Sequence, residues 1–190
     1  MSSPSIPAVS VIIPTYNRQS LLSDAIESVL AQTIRDFELV IVDDGSTDGT
    51  AGRVERQADC DRRIRYVAME HLGFPGAARN RGVGESRAPL IAFLDSDDIW
   101  KPQKLERQVM LHRESDVMLS HTREVWLRNG RVVSQKSQTH ARSGDLFADS
   151  LRKCVIGPST CMIERSFFER AGGLRALATG DAVGERVVYR

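Results

Sequence analysis

Long apolar runs are missing from this 190-residue sequence: no stretch approaches the roughly 20 apolar positions that a bilayer-spanning helix needs. Charge of one sign is not in excess either. The 26 basic and 25 acidic residues nearly cancel, so there is no bulk field to attract nucleic acid, and an anionic ligand must be held by a local site. Cysteines number three (Cys60, Cys154 and Cys161), an odd count without Cys-x-x-Cys spacing, which excludes a disulfide framework and a zinc knuckle. The four histidines, His71, His112, His121 and His140, lack a metal-ligand spacing and read as surface or satisfied side chains. The opening, Met1 to Pro7, has no basic stretch and no apolar centre, so no signal peptide is expected. These absences together predict a cytoplasmic protein, soluble or peripheral to a membrane. Repeats, linkers and low-complexity tracts are also lacking, and the length suits a single domain over residues 1–190.

What is present is an alternation of short apolar runs with amphipathic stretches, the pattern of parallel strands joined by crossover helices. Val9 to Ile13, Leu39 to Val42 and Leu90 to Leu94 have the length and aliphatic content of buried strands. Leu21, Leu22, Ala25, Ile26, Val29 and Leu30 recur at helical spacing between the first two runs. Further helices are expected near 47–57, 76–84 and 102–113, the last with Pro102 in its first turn, and a short strand near 64–67. Beyond residue 115 the pattern changes. Asn129-Gly130 between Val117 to Leu127 and Arg131 to Val133 predicts a hairpin, hence an antiparallel extension. A strand at 159–163 and a short helix near 166–170, ended by Gly172-Gly173, follow.

Four stretches carry chemistry. Asp95-Ser96-Asp97-Asp98 crowds three carboxylates at the exit of a buried strand, where like charges raise one another's pKa unless a divalent cation neutralises them. Oxygen ligands favour Mg2+ or Mn2+; a solvated acidic turn before a helix is the plain alternative. Asp43-Asp44-Gly45-Ser46-Thr47-Asp48 also follows a buried strand. Asp43 suits a base or ribose, Ser46 or Thr47 a helix cap, and the Asp-Gly pairs are turn chemistry. In Pro14-Thr15-Tyr16-Asn17-Arg18, Pro14 stops the ladder, Thr15 offers a hydrogen bond, Tyr16 can pack on a flat base, and Arg18 can meet a diphosphate. Gly73 to Gly82 allows close backbone approach, with Arg79 suited to a phosphate or a carboxylate. Neither a P-loop nor a Gly-x-Gly-x-x-Gly fingerprint occurs, which removes the main support for kinase, GTPase and dehydrogenase readings.

In this order the four stretches resemble the family 2 glycosyltransferases, inverting enzymes of the GT-A fold. The likeness covers residues 8–114 and continues thinly through Gly157 to Gly173. It implies an α/β fold of GT-A type: a Rossmann-like, mostly parallel sheet with helices on both faces and a small antiparallel extension. Residues 8–114 are then the nucleotide-sugar and metal half, and 115–190 a shortened or divergent acceptor half. The implied donor is a nucleoside diphosphate sugar, a UDP-sugar foremost, with a saccharide or lipid-linked acceptor. The expected donor-binding residues are Pro14, Thr15, Tyr16, Arg18, Asp43, Asp44, Arg79, Asp95 and Ser96. Asp95 and Asp97 form the Asp-x-Asp metal motif for Mn2+ or Mg2+, with Asp98 assisting.

The family places its base in a Glu-Asp dipeptide beyond the glycine pair, and here the sequence departs from the pattern. No Glu-Asp pair follows Gly173; Asp181 stands at nearly the right separation and is the candidate base, ahead of Glu185. The departure leaves a second reading open, a nucleotide-sugar-binding protein without turnover, and raises the prospect of a homodimer that covers the acceptor side. A nucleotidyltransferase would want a glycine-rich basic loop where Pro14-Thr15-Tyr16-Asn17 stands. Trp100 and Trp126 are expected to pack, and the cysteines lack a nearby base for nucleophilic work.

Overall fold

The run Val9-Ser10-Val11-Ile12-Ile13-Pro14-Thr15 forms β1 (Val9–Thr15), and every one of its residues is buried. A strand buried on both faces needs a layer on each side, and this chain supplies both. The computed structural model describes residues 5–128, 130–133, 143–144, 156–174 and 186–189. After β1 come α1 (Gln19–Leu30), β2 (Phe37–Asp43), α2 (Thr50–Cys60), β3 (Ile64–Ala68), α3 (Pro75–Glu85), β4 (Leu90–Phe93), β5 (Ile99–Trp100) and α4 (Lys104–Glu114). The second part holds β6 (Leu119–His121), β7 (Glu124–Arg128), β8 (Arg131–Val133), a 3-10 turn at Pro158–Thr160, β9 (Cys161–Glu164), α5 (Arg165–Arg170) and β10 (Arg186–Tyr189).

The main sheet runs β3-β2-β1-β4-β9-β6. The first four strands are parallel, and β9 is antiparallel to both β4 and β6. Successive strands fan out from β1 towards β3 on one side, while β4 lies on its other side. The order therefore reverses beside β1, and at such a point an open α/β sheet leaves a crevice at its C-terminal edge. Alternate residues of β1 serve opposite layers. Val9, Val11 and Ile13 pack with Ile26 of α1, Val54 of α2 and Leu105 of α4, whereas Ile12 packs with Ala78 and Val83 of α3 and Phe168 of α5. Each fully buried aliphatic side chain of this kind contributes roughly 2 kcal/mol. Helix α3 lies very close to β1: a Cβ on Gly82 would stand 2.4 Å from Ile12 Cγ2, so only glycine fits there without a shift.

Pro14 does not stop the ladder. Its neighbours show why: Ile12 O accepts the Leu94 N–H on the β4 side, and Thr15 O accepts the Asp44 N–H on the β2 side. Alternation puts the missing Pro14 N–H on the β4 side, just beyond the end of β4, where no ladder bond is lost. Pro102 lies before α4 rather than in its first turn, since the helix begins at Lys104. The expected long strand over 117–127 is two strands in two sheets. β6 joins the main sheet through β9, while β7 pairs with β8 in the hairpin that Asn129-Gly130 predicts, Arg128 opposite Arg131 and Gly130 at φ +73°. Residue Asn129 itself is outside the described set. A smaller sheet, β5-β10-β7-β8, is the mostly antiparallel extension. The strand expected at 159–163 begins at Cys161, because Pro158–Thr160 winds into a 3-10 turn.

Candidate functional site

Thr15 and Asp43 are register partners at the ends of β1 and β2, and Leu94 leads β4 into the acidic loop beside them. The two loops that leave β1 and β2 are stitched together by side chains. Asn17 adopts φ +49°, its N–H donates to Ser46 Oγ at 2.8 Å, and its Oδ1 accepts the N–H groups of Thr47 and Asp48. Asp48 in turn accepts the N–H groups of Gln19 and Thr50. Ser46 and Thr47 therefore tie loops and do not cap a helix; α2 begins only after the Asp48-Gly49 turn, at Thr50. Arg18 stands exposed at the head of α1, and its carbonyl accepts the Leu21 and Leu22 N–H groups.

Asp43 is 1% exposed; its Oδ1 accepts the Ser46 N–H at 2.9 Å and its Oδ2 the Tyr66 hydroxyl at 2.7 Å. Burial, reinforced by this hydrogen bond to Asp43, pushes the Tyr66 phenol above its usual range. Asp44 is engaged differently. Both its oxygens accept backbone N–H groups, Oδ1 from Leu72 and Oδ2 from Gly73, each at 2.8 Å, and His71 Nδ1 lies 2.8 Å from the Asp44 carbonyl and 3.1 Å from Oδ2. The carboxylate thus pins the loop that leads into α3. Gly45, at φ +75°, makes room for this: a Cβ there would sit 3.0 Å from His71. Tyr16 and His71 stack with ring centroids 4.1 Å apart.

The acidic loop divides its carboxylates. Asp98 is buried and accepts the Ser159 hydroxyl at 2.7 Å, while the same hydroxyl accepts the Asp95 N–H at 2.9 Å. Ser96 is buried as well, whereas Asp95 and Asp97 remain partly open. Asp98 thereby braces the loop against the 3-10 turn. Arg79 on α3 pairs through Nη2 with Asp95 Oδ1, and its Nε is buried without a hydrogen-bond partner. The Thr15 hydroxyl is also buried and unpartnered, although the residue is only 4% exposed. Buried polar atoms almost always find partners, so leftover ones at the end of β1 and on α3 beside the acidic loop are what a ligand would satisfy.

The next residue on α3, Asn80, clamps the start of the following segment: its Nδ2 donates to Leu174 O at 2.7 Å and its Oδ1 accepts the Leu174 N–H at 2.9 Å. Gly172 and Gly173, at φ +79° and +74°, turn the chain into this clamp, with Gly173 against Asn80. Asp181 and Glu185 lie outside the described residues, as do Cys154 and His140. Behind the acidic loop Trp100 is buried and donates through Nε1 to Ser159 O. Lys104 lies under that ring, 4.0 Å from its centroid and 2.6 Å from Gln108 Oε1, and burial pushes its pKa down to about 7. Burial pushes the nearby Cys161 thiol up to about 11, which leaves it an inert core residue. Trp126 is half-buried on β7 and donates to Glu124.

His71, Asn80 and Ser159 are the residues whose part the sequence hides. Asn80 sits inside a stretch already singled out, but its partner is 94 residues away. Among the described residues no group of three or more His, Cys, Asp or Glu side chains could enclose a metal. The open pair Asp95 and Asp97 instead suits a cation that takes its remaining ligands from water and substrate phosphates, as Mg2+ and Mn2+ commonly do.

A parallel sheet whose C-terminal edge gathers a threonine, two carboxylates and an arginine beside an Asp-x-Asp loop defines a class, and comparison with known proteins identifies it. The family model for glycosyl transferase family 2 matches residues 10–172. The chain belongs to that family. It is similar to the Escherichia coli UDP-Glc:alpha-D-GlcNAc-diphosphoundecaprenol beta-1,3-glucosyltransferase WfgD, with 32% identity over 83% of this chain and 60% of that one. It spans 26% and 63% of the lengths of two other curated bacterial relatives. Among solved structures, S. aureus TarS in complex with UDP-GlcNAc superposes with a TM-score of 0.70 at 24% identity, over 86% of this chain and 47% of that one. The mannosyltransferase PcManGT from Pyrobaculum calidifontis, in complex with GDP-Man and Mn2+, gives 0.68 at 22% identity, over 90% and 48%. The fold is the GT-A type that the sequence led one to expect.

Proposed function

We propose that this chain binds a nucleoside diphosphate sugar at the crevice beside β1 and transfers the sugar, with inversion, to an acceptor hydroxyl. The observation that carries the reading is the pair of unsatisfied buried groups, Thr15 Oγ1 and Arg79 Nε, the first on the register partner of Asp43 and the second on the side chain that pairs with Asp95. In it Pro14 and Thr15 shape the nucleoside side, Tyr16 offers a ring to the base, and Asp43 accepts from base or ribose. Arg79 and the exposed Arg18 meet the diphosphate; Asp44 acts by holding the loop that leads into α3, and Ser96 lies buried between Asp95 and Asp97. Bound Mn2+ or Mg2+, held by Asp95 and Asp97, supplies positive charge against the diphosphate leaving group.

The Arg79–Asp95 pair keeps both charges compensated while no ligand is present. On binding, the guanidinium has a second anionic partner in the diphosphate and can serve both bidentately. Asp181 is the residue assigned to take the acceptor proton. WfgD acts on a UDP-glucose donor and a diphosphoundecaprenol-linked sugar. The solved neighbours hold UDP-GlcNAc and GDP-Man, the second with Mn2+. The WfgD name favours a lipid-linked saccharide acceptor, and with it work at the cytoplasmic face of a membrane.

The test is calorimetric titration of UDP and GDP with and without Mn2+, on the wild type and on Asp97→Ala, followed by a transfer assay with the matching nucleotide sugar. Metal-dependent binding that Asp97→Ala removes supports the donor site, and NMR of the product's anomeric centre reads inversion. Binding without turnover, unchanged by Asp181→Asn, would instead favour a nucleotide-sugar-binding protein. A folded protein that binds no nucleotide would overturn the reading.

A further inference from the structure

Two rings meet just beyond the C-terminal end of β1. Tyr16 directly follows β1, and His71 lies in the loop ahead of α3; their planes are 20° from parallel at 4.1 Å between centroids. Both remain about half open despite the stack, Tyr16 at 41% and the His71 side chain at 47% exposure. An exposed aromatic pair beside buried, unsatisfied polar atoms is what a flat heterocycle with a polar edge would use.

The stack is held from both ends. On the Tyr16 side, Thr15 O accepts the Asp44 N–H at 2.9 Å and the Asn17 N–H donates to Ser46 Oγ at 2.8 Å, so the backbone on either side of the ring is tied to the β2 exit. On the His71 side, Asp44 takes Nδ1 at its carbonyl and carboxylate and the two following N–H groups at its carboxylate. Both rings are therefore referred to one residue, Asp44, next to Asp43. A ring fixed before the ligand arrives costs less ordering on binding than a free one.

We propose that His71 is a positioning residue for the nucleobase of the donor: its ring backs the Tyr16 ring and holds it flat as one wall of the base subsite, while Asp44 holds His71. This rests on the nucleotide-sugar reading above. It also gives the Asp44 carboxylate an indirect part in binding, exercised through the His71 loop.

Three substitutions separate the ring from the hydrogen bond. His71→Ala removes both, His71→Phe keeps a flat ring without Nδ1, and His71→Asn keeps a donor for Asp44 without the ring. Titration of UDP and of inorganic diphosphate, each with Mn2+, is made on the wild type and the three variants, with thermal melts to check folding. The expected result is a loss of UDP affinity of about 3- to 10-fold in His71→Ala and His71→Asn. Recovery in His71→Phe and unchanged diphosphate binding in all three complete the pattern. Recovery in His71→Asn but not in His71→Phe would reduce His71 to a tether and overturn the proposal. So would an equal loss of UDP and diphosphate affinity, or no loss in His71→Ala. Wild-type protein that binds no nucleoside diphosphate would sink the donor-site reading itself, whereas normal wild-type binding with an unaffected His71→Ala sinks only the part given to His71.

Discussion

Near the start of β1 the Ser10 hydroxyl donates to Glu38 Oε1 at 2.7 Å and accepts the Ala88 N–H at 3.0 Å; at the end of the same strand the Thr15 hydroxyl is almost as deeply buried and has neither kind of partner. The contrast extends across the sheet. At the first edge Glu38 also accepts the Arg87 N–H at 2.6 Å and lies 3.6 Å from Arg65 Nη1, so a buried carboxylate is fully answered. At the other edge Arg79 Nε goes unanswered and Asp95 and Asp97 stay half open. At the first edge the buried polar groups are matched within the fold, whereas at the second, where Asp43, Asp44 and Asp98 are matched as well, Thr15 Oγ1 and Arg79 Nε are left over. Satisfied networks hold a structure together, while local violations of the same rule mark places reserved for function.

Five substitutions would sharpen or break this contrast. Asp97→Ala should lower sugar transfer by about 100-fold or more, with a melting temperature close to that of the wild type. A large drop in stability instead would mean that the open edge is structural after all. Glu38→Ala should do the reverse: roughly 2–3 kcal/mol lost in urea unfolding, with UDP affinity unchanged.

Glu38 also sets an acid limb. Burial alone would raise its pKa, but hydrogen bonds from Ser10 and from the Arg87 backbone, together with the Arg87 charge, bring it below the ordinary value of 4.5. A depressed carboxylate contributes stability that is present above its unfolded pKa and lost as pH falls through the folded one. Melts from pH 6 downward should accordingly show a decline below about pH 4.5 that is shallower in Glu38→Gln. An identical decline in both proteins would remove Glu38 from the account.

The smallest effects are the most pointed, because they compare two hydroxyls on one strand. Ser10→Ala should cost about 1 kcal/mol by stranding its partners, and leave nucleotide affinity alone. Thr15→Val strands nothing within the protein, so stability should hold or rise by a few tenths of a kcal/mol, while UDP affinity falls about 3- to 10-fold. Equal destabilisation by both would show that the Thr15 hydroxyl has a partner in the fold after all.

Much of this was open to reading along the chain. The three aliphatic runs are β1, β2 and β4 within two residues at each end, because a strand covered on both faces is mostly apolar. Asp43, Arg79 and the acidic loop were singled out because each lies at a strand exit or in a glycine-bearing stretch. The stretch at 117–127 was not divisible in sequence: no glycine or proline separates β6 from β7, and only their partners, β9 and β8, send them to different sheets.

Which carboxylates remain available is likewise a matter of distant partners. Asp95, Asp97 and Asp98 read alike in sequence, yet Ser159, 61 residues downstream of Asp98, takes that one into the interior and leaves the other two partly open. His71 has no ligand spacing to advertise it and gains meaning only when Asp44 and Tyr16 close around it. By itself, then, the sequence determined the strands, the order of the motifs and the family they spell, because hydrophobic period and turn chemistry act over a few residues. Tertiary structure decided which polar atoms are answered and which are left over, because hydrogen-bond satisfaction depends on groups that meet only when the sheet is assembled.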